Sequence, residues 1–321
     1  MTAIINHHRP RRILTWHVHG NYLYYLSQAR HEFYVVTDAE RSPGHSGRSG
    51  VLPWGWNVHE APVEEIRDMA FDAVLYQSRR AWEQERHQLL SPEQLRLPSI
   101  YLEHDPPLDH PTEAVHWVDD PSVVLVHVTP FNALMWNSGR SPVRVIEHGV
   151  KLVTESWYHG DIERGLVVIN NLATRGRRIG EDIFSQAAAQ VPLELVGMGS
   201  EAFGGGGEVP QNMLPACMAA HRFFFHPARY TSLGLAIIEA MMVGTPVVGL
   251  ATTELATVIR DGENGLIDTR PERLIDGMRH LLSHKATARQ LGEAGRRTAR
   301  ERFNIDRFAH DWDRLICEVC A

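Results

Sequence analysis

Short apolar runs alternate with polar and helical segments along most of the chain. Ile13–Thr15 reads as a first strand and ends in the polar turn His17-Val18-His19-Gly20-Asn21. A helix from about Tyr22 to Ala29 and a second strand, Glu32–Thr37 (EFYVVT), complete a βαβ unit. Its Gly turn stands at the carboxyl end of the first strand, where parallel α/β sheets bind ligands. Residues 41–62 are rich in Gly, Pro and Ser and predict a loop. Further apolar runs at Ala73–Tyr76, Ser99–Leu102, Val123–Val126 and Val143–Ile146 predict more strands of a doubly wound parallel sheet.

After Val150 the polar segment KLVTESWYHGDIERG breaks this rhythm, and a second alternating series begins. Strands are expected at Leu166–Ile169, Leu193–Val196, Phe223–Phe225 and Val247–Leu250. Helices are expected near 180–190, 212–219 and 233–243. The boundary between the two α/β domains falls near residues 150–163. From about Ala286 to Val319 the pattern is helical and charged, with Phe303, Phe308, Trp312, Leu315 and Ile316 marking one face. Gly204–Gly207 predicts a mobile four-glycine loop.

Composition narrows the function. The net charge of −7 argues against a general nucleic-acid binder. Lys151 and Lys285 are the only lysines among 32 basic residues, so any anion site must be built from Arg. Three cysteines, Cys217, Cys317 and Cys320, suggest a reducing compartment without a disulfide framework. Cys317 and Cys320 read as neighbours on one face of a terminal helix. His17 and His19 make only a pair of metal ligands, and a pair is not a metal site; His19 stays of interest beside the Gly20 turn. The first twenty residues lack an apolar core of signal-peptide length, so a cytoplasmic location is expected.

The most apolar stretch is RYTSLGLAIIEAMMVGTPVVGL, residues 229–250. Gly244 and Pro246 break it too early for a membrane span, which leaves contact with the inner membrane surface open. It carries one carboxylate, Glu239, and an ionised Glu is costly to bury without a partner. Ser232 is a candidate N-cap of the helix, and Gly234 in its first turn lets another group approach the backbone. A helix start of this kind favours phosphate, and Glu239 further in can accept hydrogen bonds from a diol such as ribose. The alternative is a Glu that caps a loop or pairs with Arg.

The segment HPARYTSLGLAIIEAMMVGTPVVGL, followed by TTELATVIRDGENGLI, resembles the C-terminal signature of the retaining glycosyltransferases of family 4. The likeness runs from about Gly165 to Phe303 and is looser over residues 13–150. It implies an α/β chain of GT-B fold, with two Rossmann-like doubly wound domains facing a central cleft. Residues 1–150 would be the acceptor-side domain and 151–300 the nucleotide-sugar domain. Residues 301–321 would be a helix packing back toward the first.

The resemblance also implies roles. Glu239 matches the second Glu of the family's Glu-x7-Glu motif, which binds the donor ribose. The first Glu is replaced by Thr231, a departure that bears on donor choice. Ser232, Leu233, Gly234 and Leu235 would offer backbone N–H groups to the diphosphate. The Arg and Lys that hold this diphosphate in the family correspond to Asn171 and to Arg177 or Arg178, with Arg175 in the same loop. Gly199 resembles a turn beside the donor, and Val209 a segment that meets the nucleobase. In the first domain, Gly20 and Asn21 match a paired-Gly turn near the phosphate. His104, in SIYLEHDPP, matches a strand-end His near the transferred sugar. Glu147–Val150 resembles the start of the hinge.

The implied reaction moves a sugar from a nucleoside-diphosphate sugar, used as co-substrate, to an acceptor hydroxyl with retention at the anomeric carbon. No metal and no other cofactor is implied. The acceptor would be a saccharide, lipid-linked or small molecule, in cell-envelope polysaccharide synthesis for example. His104 and Arg177 are the candidate catalytic residues. Two rivals are a nucleotide-sugar binder without turnover, suggested by Thr231 and Asn171, and a hydrolase or epimerase. A dinucleotide-dependent dehydrogenase fits less well, because the first turn lacks G-x-G-x-x-G.

Overall fold

A computed structural model describes residues 9–18 and 20–321 of the chain, so His19 lies outside the described residues. Residue contacts divide the chain into two units. One comprises the described residues up to Val128 with Asn132–Gly149 and Ile305–Ala321. The other comprises Thr129–Phe131 and Val150–Asn304.

The first unit holds a seven-stranded sheet. Its strands are β1 (Arg12–Thr15), β2 (Glu32–Thr37), β3 (Val58–Pro62), β4 (Ala73–Tyr76), β5 (Ser99–Glu103), β6 (Val123–His127) and β7 (Val143–Val145). They lie in the order β3-β2-β1-β4-β5-β6-β7, and every pairing is parallel. The strand order reverses between β1 and β4. That is the switch point at which open α/β sheets form a crevice, and the turn leading to Gly20 leaves the carboxyl end of β1 there. Strands of a parallel sheet are covered on both faces and therefore read as continuous apolar runs. Ala73–Tyr76 is such a run, buried at all four positions.

In the second unit β8 (Ile162–Val168), β9 (Leu193–Val196), β10 (His221–His226), β11 (Val247–Leu250) and β12 (Leu266–Asp268) form a parallel sheet in the order β12-β11-β10-β8-β9. Phe223, Phe225, Val167 and Val248 pack with Leu274, Ile275 and Met278 of the helix Pro271–Ser283. Here β8 and β10 are neighbours on either side of the switch, so the loops after Val168 and after His226 leave adjacent central strands.

Several expectations need correction. Residues 41–62 are not all loop, because Val58–Pro62 pairs with β2 as an edge strand. An edge strand needs only one partner and tolerates a terminal Pro, so its pattern is too polar to stand out. β12 is a three-residue edge strand without an apolar run. β8 begins at Ile162, earlier than expected, because its first residues are exposed. The C-terminal segment is two helices, Lys285–Arg302 and Ile305–Val319. Between them Phe303 is buried, and its carbonyl accepts from Val150 N at 3.1 Å.

The four-glycine loop is not free backbone. Gly205 N and Gly206 N donate to the carbonyls of Ser200 and Leu195, Gly207 N donates to the buried Ser200 hydroxyl, and Gly207 O accepts from Gly197 N. Among the described residues no helix is long and apolar enough to cross a membrane.

Candidate active site

In the second unit the central feature is the helix Leu235–Val243. Leu, Ala and Met favour helix, and the helix ends where Gly244 takes the left-handed conformation at φ 93° before Thr245-Pro246. Ile237 through Val243 are all buried, Glu239 at 3% exposure among them. Gln211 Nε2 donates to Glu239 Oε1 at 3.2 Å. A carboxylate has about four lone-pair sites, so a buried one can accept from several donors at once.

Ser232 is not the N-cap. The helix begins at Leu235, its cap residue is Gly234 in extended conformation, and no side chain caps it. Gly234 is therefore outside the first turn. The reason lies in packing: Leu233 is buried at 2% exposure, and the helix starts only beyond it. The N–H groups of the first turn are thus not taken by a capping side chain, a stronger anion-binding feature than a Ser cap would leave.

The loop after β8 lies beside the loop after β10. Asn171 is exposed and left-handed, at φ 55° and ψ 43°. Its N–H donates to Met198 O at 2.7 Å, while Met198 N donates to Asn170 Oδ1 at 2.9 Å. These bonds bring Gly199, at φ 71°, next to Asn171, two positions that sequence alone could not connect. Val209 is half-buried and stands two residues before Gln211, on the segment that reaches Glu239.

Arg175 is half-buried, and its charge bears on His226 at the end of β10. Burial, with that charge second, lowers the His226 ring to about 4. Arg177 is exposed and donates to Asp182 at 2.6 Å. Arg178 is half-buried, and its Nη1 has no hydrogen-bond partner among the described residues. The buried Tyr230 hydroxyl also lacks one. Burial raises this phenol, and the Arg178 charge pulls it back down. Orphaned buried polar atoms in a folded chain call for an explanation, and an absent ligand is one.

Arg229 and Asp182 were not legible as site residues. Arg229 sends a forked pair of bonds to Asp182, at 2.5 and 2.8 Å, and a third to Arg177 O at 2.7 Å. The Arg229 bond is the first cause holding the Asp182 carboxyl below its usual range. Gly180 makes this approach possible: at φ 83°, a Cβ there would meet Pro227 O at 2.0 Å.

In the first unit Gly20 starts the helix Gly20–Leu26 at φ 31°, followed by the half-buried Asn21. His17, which sequence offered only as half of a metal pair, spans two loops. Its ring nitrogens lie 2.9 Å from Gly20 O and 2.9 Å from Gly47 O.

His104 is buried just beyond β5, 4.8 Å from the Tyr22 ring in an edge contact. Its Nε2 lies 3.1 Å from Gln77 Oε1. The Gln77 amide donates to Thr15 Oγ1 and Trp16 O, so its carbonyl must face the ring. His104 Nε2 therefore carries the proton, and in the neutral ring Nδ1 is the acceptor. Asn132 Nδ2 holds the His104 carbonyl at 3.1 Å.

Among the described residues no group of three or more His, Cys, Asp or Glu stands so as to hold a metal. A cavity of about 330 Å³ beside β9 is lined by Phe184, Leu193, Phe203 and Gly204, and by none of the candidate donor residues.

Structures of known proteins share this architecture. The Anabaena protein HepE, solved with UDP-glucose, superposes with a TM-score of 0.71 at 15% identity, covering 96% of this chain and 100% of that one. Sucrose-phosphate synthase from Thermosynechococcus elongatus does so with a TM-score of 0.68 at 15% identity, covering 96% and 99%. The fold is GT-B. Residues 204–298 of this GT-B chain match the family "Glycosyl transferases group 1". That span includes the helix Leu235–Val243. A D-inositol 3-phosphate glycosyltransferase of Nocardioides sp. is 34% identical over 124 residues, 36% of this chain and 26% of that protein. O-antigen chain mannosyltransferase B of Escherichia coli is 44% identical over 61 residues, 19% of this chain and 16% of that protein. The GT-B chain thus spans about a quarter or less of the length of these curated relatives.

Proposed function

We propose that the chain transfers a sugar from a nucleoside-diphosphate sugar to an acceptor hydroxyl, with retention of anomeric configuration. The observation that carries this reading is the segment Arg229–Glu239. It joins a helix start that no side chain caps to a buried carboxylate one turn further in. The helix start suits a diphosphate, and the carboxylate suits a ribose diol. The family match over residues 204–298 and the UDP-glucose bound by HepE support it.

The difficult step is departure of the diphosphate, which leaves an oxocarbenium-like sugar. Preorganised donors stabilise the charge that grows on the leaving group, each typically by about 2.7–4 kcal/mol in comparable oxyanion sites. The donors proposed for this are the N–H groups near Leu235 and the guanidinium of Arg178, with Arg177 and Arg175 adding positive charge. Arg178 is favoured of the two alternatives for the family's Lys, because its Nη1 is buried without a hydrogen-bond partner among the described residues while Arg177 is exposed and paired. No enzyme nucleophile is assigned. The acceptor is proposed to attack from the face that the diphosphate leaves, with a phosphate oxygen taking its proton, and His104 Nδ1 to orient the sugar. The acceptor is a saccharide, a glycolipid intermediate or a small molecule, and no metal is assigned a role.

Thermal-shift titration with UDP-, GDP- and ADP-sugars tests the reading. One nucleotide series should raise Tm by mass action, and that donor should turn over with an acceptor. No shift with any of them would sink it. A second reading, binding without turnover, rests on Thr231 and Asn171, which put neutral groups where the resemblance implies a carboxylate and a cation. Calorimetric binding without transfer or hydrolysis would select it.

A further inference from the structure

Two loops of the second unit meet through one carboxylate. Asp182, in the first turn of the helix Glu181–Ala188, accepts both branches of Arg229 and one bond from Arg177. The attachment continues along the backbone. Arg229 N and Tyr230 N both donate to Arg178 O, at 3.0 and 3.2 Å, and Arg229 Nη1 donates to Arg177 O. Arg177 and Arg178 are thus held by their carbonyls against the residues that immediately precede Thr231. The close passage of Gly180 past Pro227 leaves no slack between the loops.

The cations differ in freedom. The Arg229 side chain is 29% exposed and forked, a rigid bidentate geometry. The Arg177 side chain is 77% exposed and holds Asp182 by one branch, so it can leave at small cost. Arg229 keeps both Asp182 oxygens engaged. Without it, Asp182 would become a full competitor for Arg177.

Resting on the donor reading above, we propose that Arg229 and Asp182 are positioning residues for the diphosphate. They fix the loop of Arg177 and Arg178 at a set spacing from the helix start at Leu235, so that side-chain cations and backbone N–H groups meet the same two phosphates. Arg229 itself is engaged by Asp182 and by the Arg177 carbonyl. This role explains an Arg–Asp fork so close to a site that already carries several cations.

Calorimetric titration of the full chain with UDP, GDP and ADP, and with the corresponding nucleosides, tests this. Asp182→Asn removes a negative charge beside the phosphate loop. A plain electrostatic role predicts tighter diphosphate binding. Positioning predicts the reverse: diphosphate affinity falls about tenfold or more while nucleoside affinity stays. Arg229→Lys keeps the charge but cannot fork, and should fall in the same way; Arg229→Ala should fall further. Unchanged or tighter diphosphate binding by Asp182→Asn overturns the proposal. So does an equal loss of nucleoside and diphosphate binding, which marks a folding role. A wild-type chain that binds none of the three diphosphates overturns the donor reading and this one with it. A wild-type chain that binds, with variants that match it, overturns the positioning role alone.

Discussion

Gln211 donates a hydrogen bond, at 3.2 Å, to Glu239 in the middle of a helix that is otherwise apolar. The buried carboxylate thus has a neutral amide donor among its partners. A ribose hydroxyl offers the same kind of donor, so nucleotide binding adds to, or replaces, a bond of known geometry.

Glu239→Gln should therefore weaken nucleoside-diphosphate binding about tenfold or more, the size of one hydrogen bond to a charged group. The change is isosteric and leaves Gln211 an acceptor, so the chain should remain folded. Calorimetry and thermal unfolding of the same sample check both parts. An unchanged Kd would remove Glu239 from the site.

Thr231 precedes the helix by four residues and is half-buried, so a longer side chain has room to reach solvent. Thr231→Glu restores a carboxylate where the family resemblance implies one. The expected outcome is a reordering of sugar preference among donors that share one nucleobase, with the affinity for the bare diphosphate nearly constant. Competition assays with a panel of sugars on the preferred nucleotide read this directly.

His104 is locked by Gln77 with its proton on Nε2, which directs Nδ1 as an acceptor. His104→Ala should lower kcat by about a hundredfold, the cost of losing orientation at a reacting group. The Kd of the bare nucleoside diphosphate should remain that of the wild type. Full turnover in the variant would show that the ring has no part in orienting the sugar. Gln77→Leu should show a smaller loss in the same direction, since it frees the ring without removing it.

Acid should unfold the first unit partly through its buried imidazoles. His116 and His127 are 2% and 0% exposed, and burial lowers both rings to about 4. The unfolded chain, with His near 6.5, binds these protons first, so the neutral rings stabilise the fold above pH 6.5. That contribution is lost as pH falls from 6.5 toward 4. His127→Gln removes one such group. The stability difference between wild type and variant should shift by about 1.4 kcal/mol per pH unit across this window. Urea unfolding at several pH values checks it. Glu103, raised to about 8 chiefly by burial, acts in the opposite sense as pH rises toward 8, and it is common to both proteins.

The apolar runs that form most of the strands are continuous because both faces of a parallel sheet are covered. For that reason β2, β4, β9 and β11 stand where the pattern placed them. The strands that escaped notice, Val58–Pro62 and Leu266–Asp268, are edge strands with little to bury. At the helix start, a preference for Ser as a cap was outweighed by the burial of Leu233, which carried the chain past Ser232 to Gly234.

By itself, the order of residues determined the two alternating α/β series, the apolar helix with one carboxylate, and an Arg-rich loop after the first strand of the second series. These depend on local periodicity and on residue type. Only the tertiary structure decided that Arg177 pairs with Asp182 while Arg178 Nη1 has no hydrogen-bond partner among the described residues, that Gln211 meets Glu239, and that Arg229 grips Asp182 from 47 residues away. Such contacts depend on strand order. β8 and β10 lie side by side, so two loops distant in the chain leave the sheet together, and no spacing along the sequence records that.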